Sequence, residues 1–170
     1  MHSLLIRLIT ALAVMLISPL PLLAAELPLP QGTPVLSISG AIKVTNSGNE
    51  AILDRDMLEA LGTEKIVTKT PWFDGVTEFS GVRLDKLMDL VGAHGQAVTA
   101  VALNNYVTTI PIEDFSRYQA ILALKRDGRY MSIREKGPLF IIYPFDSDPA
   151  LRTQTYFGRA AWQVAKLVVE

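Results

Sequence analysis

The apolar positions of this chain change period several times, and each change marks an element. Lys65 to Lys69 runs Lys-Ile-Val-Thr-Lys, with three β-branched residues together, and reads as a strand. Leu84, Leu87, Met88 and Val91 recur at helical spacing, and Gly92 stands where such a helix ends. Val35 to Val44 is rich in β-forming residues and predicts a strand with a bend or bulge at Gly40. Ser47-Gly48-Asn49 predicts a turn and Ala51 to Leu53 a short strand. Asp54 is placed as an N-cap before the apolar face of Met57, Leu58 and Leu61, which Gly62 closes. Val98 to Leu103 and Tyr106 to Ile110 predict two strands turned at Asn104-Asn105, since Asn tolerates positive φ. Pro111 to Tyr118 predicts a short helical connection. Asp127-Gly128, between two β-like runs, is a hairpin signature. Leu139 to Tyr143 is continuously apolar and predicts a strand buried on both faces. Phe145 to Thr155 predicts a polar loop, and Ala160 to Val169 a closing strand. The stretch "VTKTPWFDGVTEFSGVRL", Val67 to Leu84, breaks every period. It sets Trp72, Phe73 and Phe79 among Pro71, Gly75 and Gly81, and predicts a loop rich in aromatic side chains. Several strands with two or three short helices make a mixed, β-rich α+β domain.

The front of the chain has another character. His2 and Arg7 precede an apolar run from Leu8 to Leu23, broken by Ser18, Pro19 and Pro21, and Ala24-Ala25 follow. This is the layout of a secretory signal peptide, residues 1–25, with a single domain over 26–170 and a periplasmic destination. The run is shorter than the roughly 20 apolar residues that a membrane span requires. With no Cys after it, a lipoprotein anchor is not expected.

Composition then removes whole classes of chemistry. The chain has no Cys, and His94 is the only His after the leader. A Cys nucleophile is impossible, and thiol-bound iron–sulfur or zinc centres are excluded. A Ser-His-Asp triad would depend on His94, which sits in Gly92-Ala93-His94-Gly95, a turn after a helix. Without Arg7 the sixteen basic residues fall to fifteen, against seventeen acidic ones. No basic stripe stands out, and no nucleic-acid partner is expected.

Three loops could meet at one edge, which the sequence alone does not show. They carry Lys69, Trp72, Phe73 and Asp74; Asn104, Asn105 and Tyr106; and Asp146, Asp148, Arg152, Tyr156 and Arg159. Arg134 and Lys136, before Gly137-Pro138, form a fourth cluster. Guanidinium groups bind phosphate or carboxylate through paired hydrogen bonds, so Arg134, Lys136, Arg152 and Arg159 are candidates for an anionic ligand. Lys69, Trp72, Phe73, Asn105 and Tyr106 complete the candidate cleft. Singly, each of these cations also reads as a solvated surface charge. Asp74 and Glu78 stand near one another in sequence, but nothing there separates their pKa values as acid/base work demands.

The order of motifs adds a resemblance. "FSGVRLDKLMDLVG", "VALNNYVTTIP", "ILALKRDGRYM", "KGPLFIIYP" and "WQVAKLVV" follow one another between Phe79 and Val169. The series resembles the molybdopterin-binding domain of the sulfite oxidase fold, over about Val35 to Val169, and looks closest to small secreted proteins carrying that domain alone. The resemblance implies a compact β-rich domain that, in catalytic members, holds a molybdenum–pterin cofactor through two pterin sulfurs and one protein Cys. The place of that Cys falls near Thr68, Lys69 or Thr70, and this chain has no Cys there or elsewhere. A thiolate is a soft, anionic donor, whereas an exposed Lys is cationic and a Thr hydroxyl neutral. The expectation is therefore a non-catalytic binding module without the cofactor, taking a small anionic ligand or a periplasmic or membrane-bound partner protein in the former cofactor cleft. The alternative is a molybdopterin-dependent oxidoreductase with an atypical, Cys-less metal site.

Overall fold

The computed structural model describes residues 27–170, so the expected signal peptide lies outside the described residues. Ten strands form two sheets. The first has the order β2-β1-β10-β5-β6, with β1 Pro34–Gly40, β2 Ala51–Asp54, β5 Ala97–Ala102, β6 Val107–Pro111 and β10 Val164–Val169. β1 and β10 run parallel, with Ser37 opposite Lys166, and the other neighbours are antiparallel. The second has the order β3-β4-β7-β8, with β3 Glu64–Thr70, β4 Phe73–Arg83, β7 Ile121–Arg126 and β8 Arg129–Tyr130. β9, Phe140–Ile142, pairs with the start of β7. Four short helices fill the connections: α1 Arg55–Glu59, α2 Leu84–Leu90, α3 Glu113–Arg117 and α4 Gln154–Arg159.

Strand alternation puts the core where the sequence placed it. β5 buries Val98, Ala100 and Ala102, and β1 buries Leu36 and Ile38. β9 buries all three of its residues, and Leu139 and Tyr143 on either side are buried as well. β9 joins the two sheets: Ile141 N–H donates to the Ala161 carbonyl, and Val164 N–H, at the start of β10, donates to the Leu139 carbonyl. Each large apolar side chain buried here contributes about 1.5–3 kcal/mol. Asp54 caps α1 as expected, accepting the Met57 N–H at 2.9 Å. The Asp127-Gly128 hairpin has both residues at positive φ, 48° and 77°, the geometry that matches strand twist.

Two expectations fail. Val67 to Leu84 is not a loop. Thr70 pairs with Phe73 across a two-residue turn at Pro71-Trp72, and β4 runs on to Arg83. The period was hidden by a bulge: Lys69 pairs with Val76, so Asp74 and Gly75 are extra, and Gly75 takes φ 75°. The aromatic and glycine content belongs to this irregular strand. Phe145 to Thr155 is not plain loop either. It holds a 3₁₀ turn at Pro149–Leu151 and the start of α4. Tertiary packing of Leu151 and Phe157 onto the core supports these short helical pieces, which lack the length to show a period.

Candidate functional site

Alternation along the β3–β4 hairpin sorts its side chains. Ile66, Thr68, Thr77 and Phe79 face inward and are buried, while Lys65, Val67, Lys69 and Val76 are exposed. Trp72, at the turn, folds inward. Its ring packs edge-on against Phe140 at 5.2 Å, Phe157 at 6.1 Å and Phe145 at 6.2 Å. The space beside Trp72 is therefore filled by phenyl rings. Phe73 packs on Phe79, and the Arg126 guanidinium lies 4.3 Å from the centroid of the Phe73 ring.

The segment after β9 clasps the edge of this hairpin. The Asp146 N–H donates to Thr68 Oγ1 at 3.0 Å, and the Lys69 N–H donates to Asp146 Oδ2 at 2.8 Å. The Thr68 hydroxyl itself donates to the Lys69 carbonyl at 3.3 Å. Arg152 Nε donates to the Phe145 carbonyl at 3.1 Å and stands 3.8 Å from Asp146. The Tyr106 hydroxyl donates to the Gly158 carbonyl at 2.7 Å, from the turn in which Asn105 takes φ 67°. The edge of β3 and the Asn104–Tyr106 turn thus both contact the segment from Phe145 to Arg159. Of the candidates, Trp72, Tyr106, Arg152 and Arg159 are engaged there with protein groups. Lys136 lies elsewhere, its Nζ 4.3 Å from the centroid of the Trp162 ring, and Arg134 stands in the 3₁₀ turn Ile133–Glu135 just before it. Glu78 is held by Lys65 at 2.9 Å, on the outer face.

The structure adds residues that sequence reasoning passed over. Asp114 on α3 is buried, accepting the Tyr143 hydroxyl at 3.0 Å and Arg159 Nη1 at 2.7 Å. Burial pushes the Tyr143 phenol far above its ordinary value, and the Asp114 carboxylate adds to the shift. The Tyr118 and Tyr156 hydroxyls meet at 2.8 Å, and that bond raises the Tyr156 pKa. No spacing in the sequence links α3, β9 and α4; a Tyr closing an apolar run and an Asp inside a connection were the only signs.

A cleft of about 680 Å³ opens next to the clasp, along the free edge of β3. Lys65, Val67, Arg117, Gln119, Ser147 and Asp148 are among its walls. Several charges at its rim are already matched: Lys65 with Glu78, Glu64 with Lys86 and Arg83 with Asp85. Arg117 has no carboxylate partner among the described residues, and its guanidinium lies 5.2 Å over the Tyr118 ring.

The residues at the metal position implied by the resemblance do not fit a molybdenum centre held by a thiolate. Thr68 is fully buried, and its hydroxyl is engaged both as donor and as acceptor. Making it anionic would put an unpaired charge in the interior, which burial strongly opposes. Lys69 is exposed, and among the described residues no group of His, Asp or Glu gathers to hold a metal ion.

Comparison with known families shows that the family model described as oxidoreductase molybdopterin binding domain fits residues 48–145. The match runs from the turn before β2 to Phe145, one residue short of the Asp146 clasp. Among curated proteins, none matches the chain.

Proposed function

The chain belongs to the oxidoreductase molybdopterin-binding domain family, and from that membership we propose that it serves in the periplasm as a non-catalytic binding module, taking a small anionic ligand or a segment of a partner protein in the cleft beside β3. The observation that carries this reading is the Thr68–Asp146 clasp. At Thr68, one of the three positions near which the resemblance puts the metal ligand, it holds a satisfied neutral hydroxyl. The open cleft next to it, with Arg117 in its wall, supports a binding role for the retained scaffold. The basic start, the apolar run and Ala24-Ala25 support export. A family fold does not bring the family's chemistry with it when the reacting group is replaced.

One observation favours the rival reading, a molybdopterin-dependent oxidoreductase with a Cys-less site. The Thr70 hydroxyl oxygen, two residues on from Thr68, is buried without a hydrogen-bond partner. Elemental analysis of protein made in a molybdenum-replete host separates the two. The binding-module reading expects metal far below stoichiometric and no pterin released on denaturation. Stoichiometric molybdenum with a released pterin would establish the rival.

A further inference from the structure

β3 is the last strand of its sheet and is bonded on one side only, to β4. In an antiparallel pair, alternate residues turn their N–H and C=O away from the partner strand. The Lys69 N–H points outward, to Asp146, and this sets the phase: Lys65, Val67 and Lys69 face the free edge, while Ile66 and Thr68 bond β4. The far side of the ladder agrees. Glu78, opposite Val67, gives its carbonyl to the Asp127 N–H, on the side away from β3.

The edge is closed at one end and open at the other. At Lys69 the Asp146 carboxylate takes the N–H and the Thr68 hydroxyl takes the carbonyl, which ends any ladder there. At Lys65 and Val67 the outward N–H and C=O groups have no strand partner among the described residues, and both residues line the cleft. Arg117 and Gln119 stand in the same cleft wall. An exposed edge of this kind is a template for one more strand.

We propose that the free edge of β3 accepts an extended, acidic peptide segment of a partner protein as an added strand, bonded to the backbone of Lys65 and Val67 and steered by Arg117. The proposal rests on the binding-module reading in that the cleft is open to a ligand. Charge selects the occupant. A second copy of β3 would bring lysines up to Lys65, which is unfavourable across a strand pair, whereas a glutamate there is favourable. The Lys65–Glu78 pair is an exposed one, weak enough to exchange. Val67, 60% exposed, offers an apolar contact between the lysines. A small anion alone would meet Arg117 but leave the four backbone groups to water.

The test uses isotope-labelled protein and a blocked six-residue peptide of alternating threonine and glutamate, with its threonine–lysine counterpart as control. The glutamate peptide is expected to shift the Lys65 and Val67 amide signals and slow their hydrogen exchange about tenfold, the control to do neither. Val67→Pro removes a donor that faces away from β4, so the hairpin keeps its bonds, and peptide affinity falls about tenfold or more. Arg117→Glu leaves the backbone intact and lowers affinity to a similar degree. Unmoved amides at millimolar peptide, an equal response to the lysine peptide, or unchanged affinity in both variants overturns the proposal. So does protection of the same amides by self-association without peptide. Metal and pterin content is a separate readout: a loaded protein defeats the non-catalytic reading, while the peptide titration still decides strand addition.

Discussion

Asp114 places a carboxylate in the interior with two partners, the Tyr143 phenol and the Arg159 guanidinium. A buried ion pair gains little over apolar packing, but a carboxylate stripped of its partner is costly. Arg159→Met is therefore expected to lose about 3 kcal/mol in urea unfolding, the lower end for breaking a buried pair, because Arg159 keeps some exposure. Asp114→Asn combined with Arg159→Met is expected to lose less than the two single losses added together, since the double variant leaves no unpaired charge. Strict additivity would show that the two groups do not act as a pair. At this scale the candidates read from sequence change meaning. Arg159 and Arg152 were candidates for an anion; one is bonded to a buried carboxylate and the other to a backbone carbonyl. Arg117, an exposed residue in a short helix, is the cation left facing the cleft.

Among the elements, β4 carries the sharpest constraint. A Cβ on Gly81 would lie 2.1 Å from the Leu122 carbonyl oxygen, because β4 and β7 approach closely where their register shifts. Gly81→Ala must push the two strands apart and is expected to cost at least about 3 kcal/mol, the upper end for overpacking, measured as a fall in the denaturant midpoint. Gly158, inside α4, is the counterpart. Its Cβ would meet only the Tyr106 hydroxyl, at 3.7 Å, and its φ is not left-handed. Gly158→Ala is expected to stabilise the protein by about 0.5 kcal/mol through helix propensity. If both substitutions behave alike, close strand approach is not what Gly81 serves.

For the whole molecule, the lead-in from Leu27 is fastened by the Asn46 amide, which donates to the Pro28 carbonyl at 2.8 Å, and by the Asp54 carboxylate. Asp54 accepts N–H bonds from Gly32 at 2.7 Å, Gln31 at 2.8 Å and Met57 at 2.9 Å. The Gly32 and Met57 bonds lead in holding its pKa below the ordinary 3.8. A group depressed in the folded state stabilises above its unfolded pKa, so this contribution is complete above about pH 4 and disappears as pH falls through the lower folded value. Asp54→Asn is expected to flatten that part of the acid-unfolding curve, followed by fluorescence of the two Trp residues; an unchanged acid profile would mean that other carboxylates dominate. The strand and helix periods, the Asp54 cap, the Asp127-Gly128 hairpin and the buried run at Leu139 to Tyr143 were all legible in the chain, because each is written in neighbouring residues. The absence of Cys was equally plain, and it alone sets this protein apart from thiolate-bound metal chemistry. β3 was legible at Lys65 to Lys69, but β4 and its pairing were not, because a bulge at Asp74-Gly75 breaks the alternation that reveals a strand. The Thr68–Asp146 clasp, the Asp114 network and the open edge at Lys65 and Val67 join residues far apart in sequence. Those contacts depend on which strand ends a sheet and which loop covers it, and only the packing of the two sheets decides that.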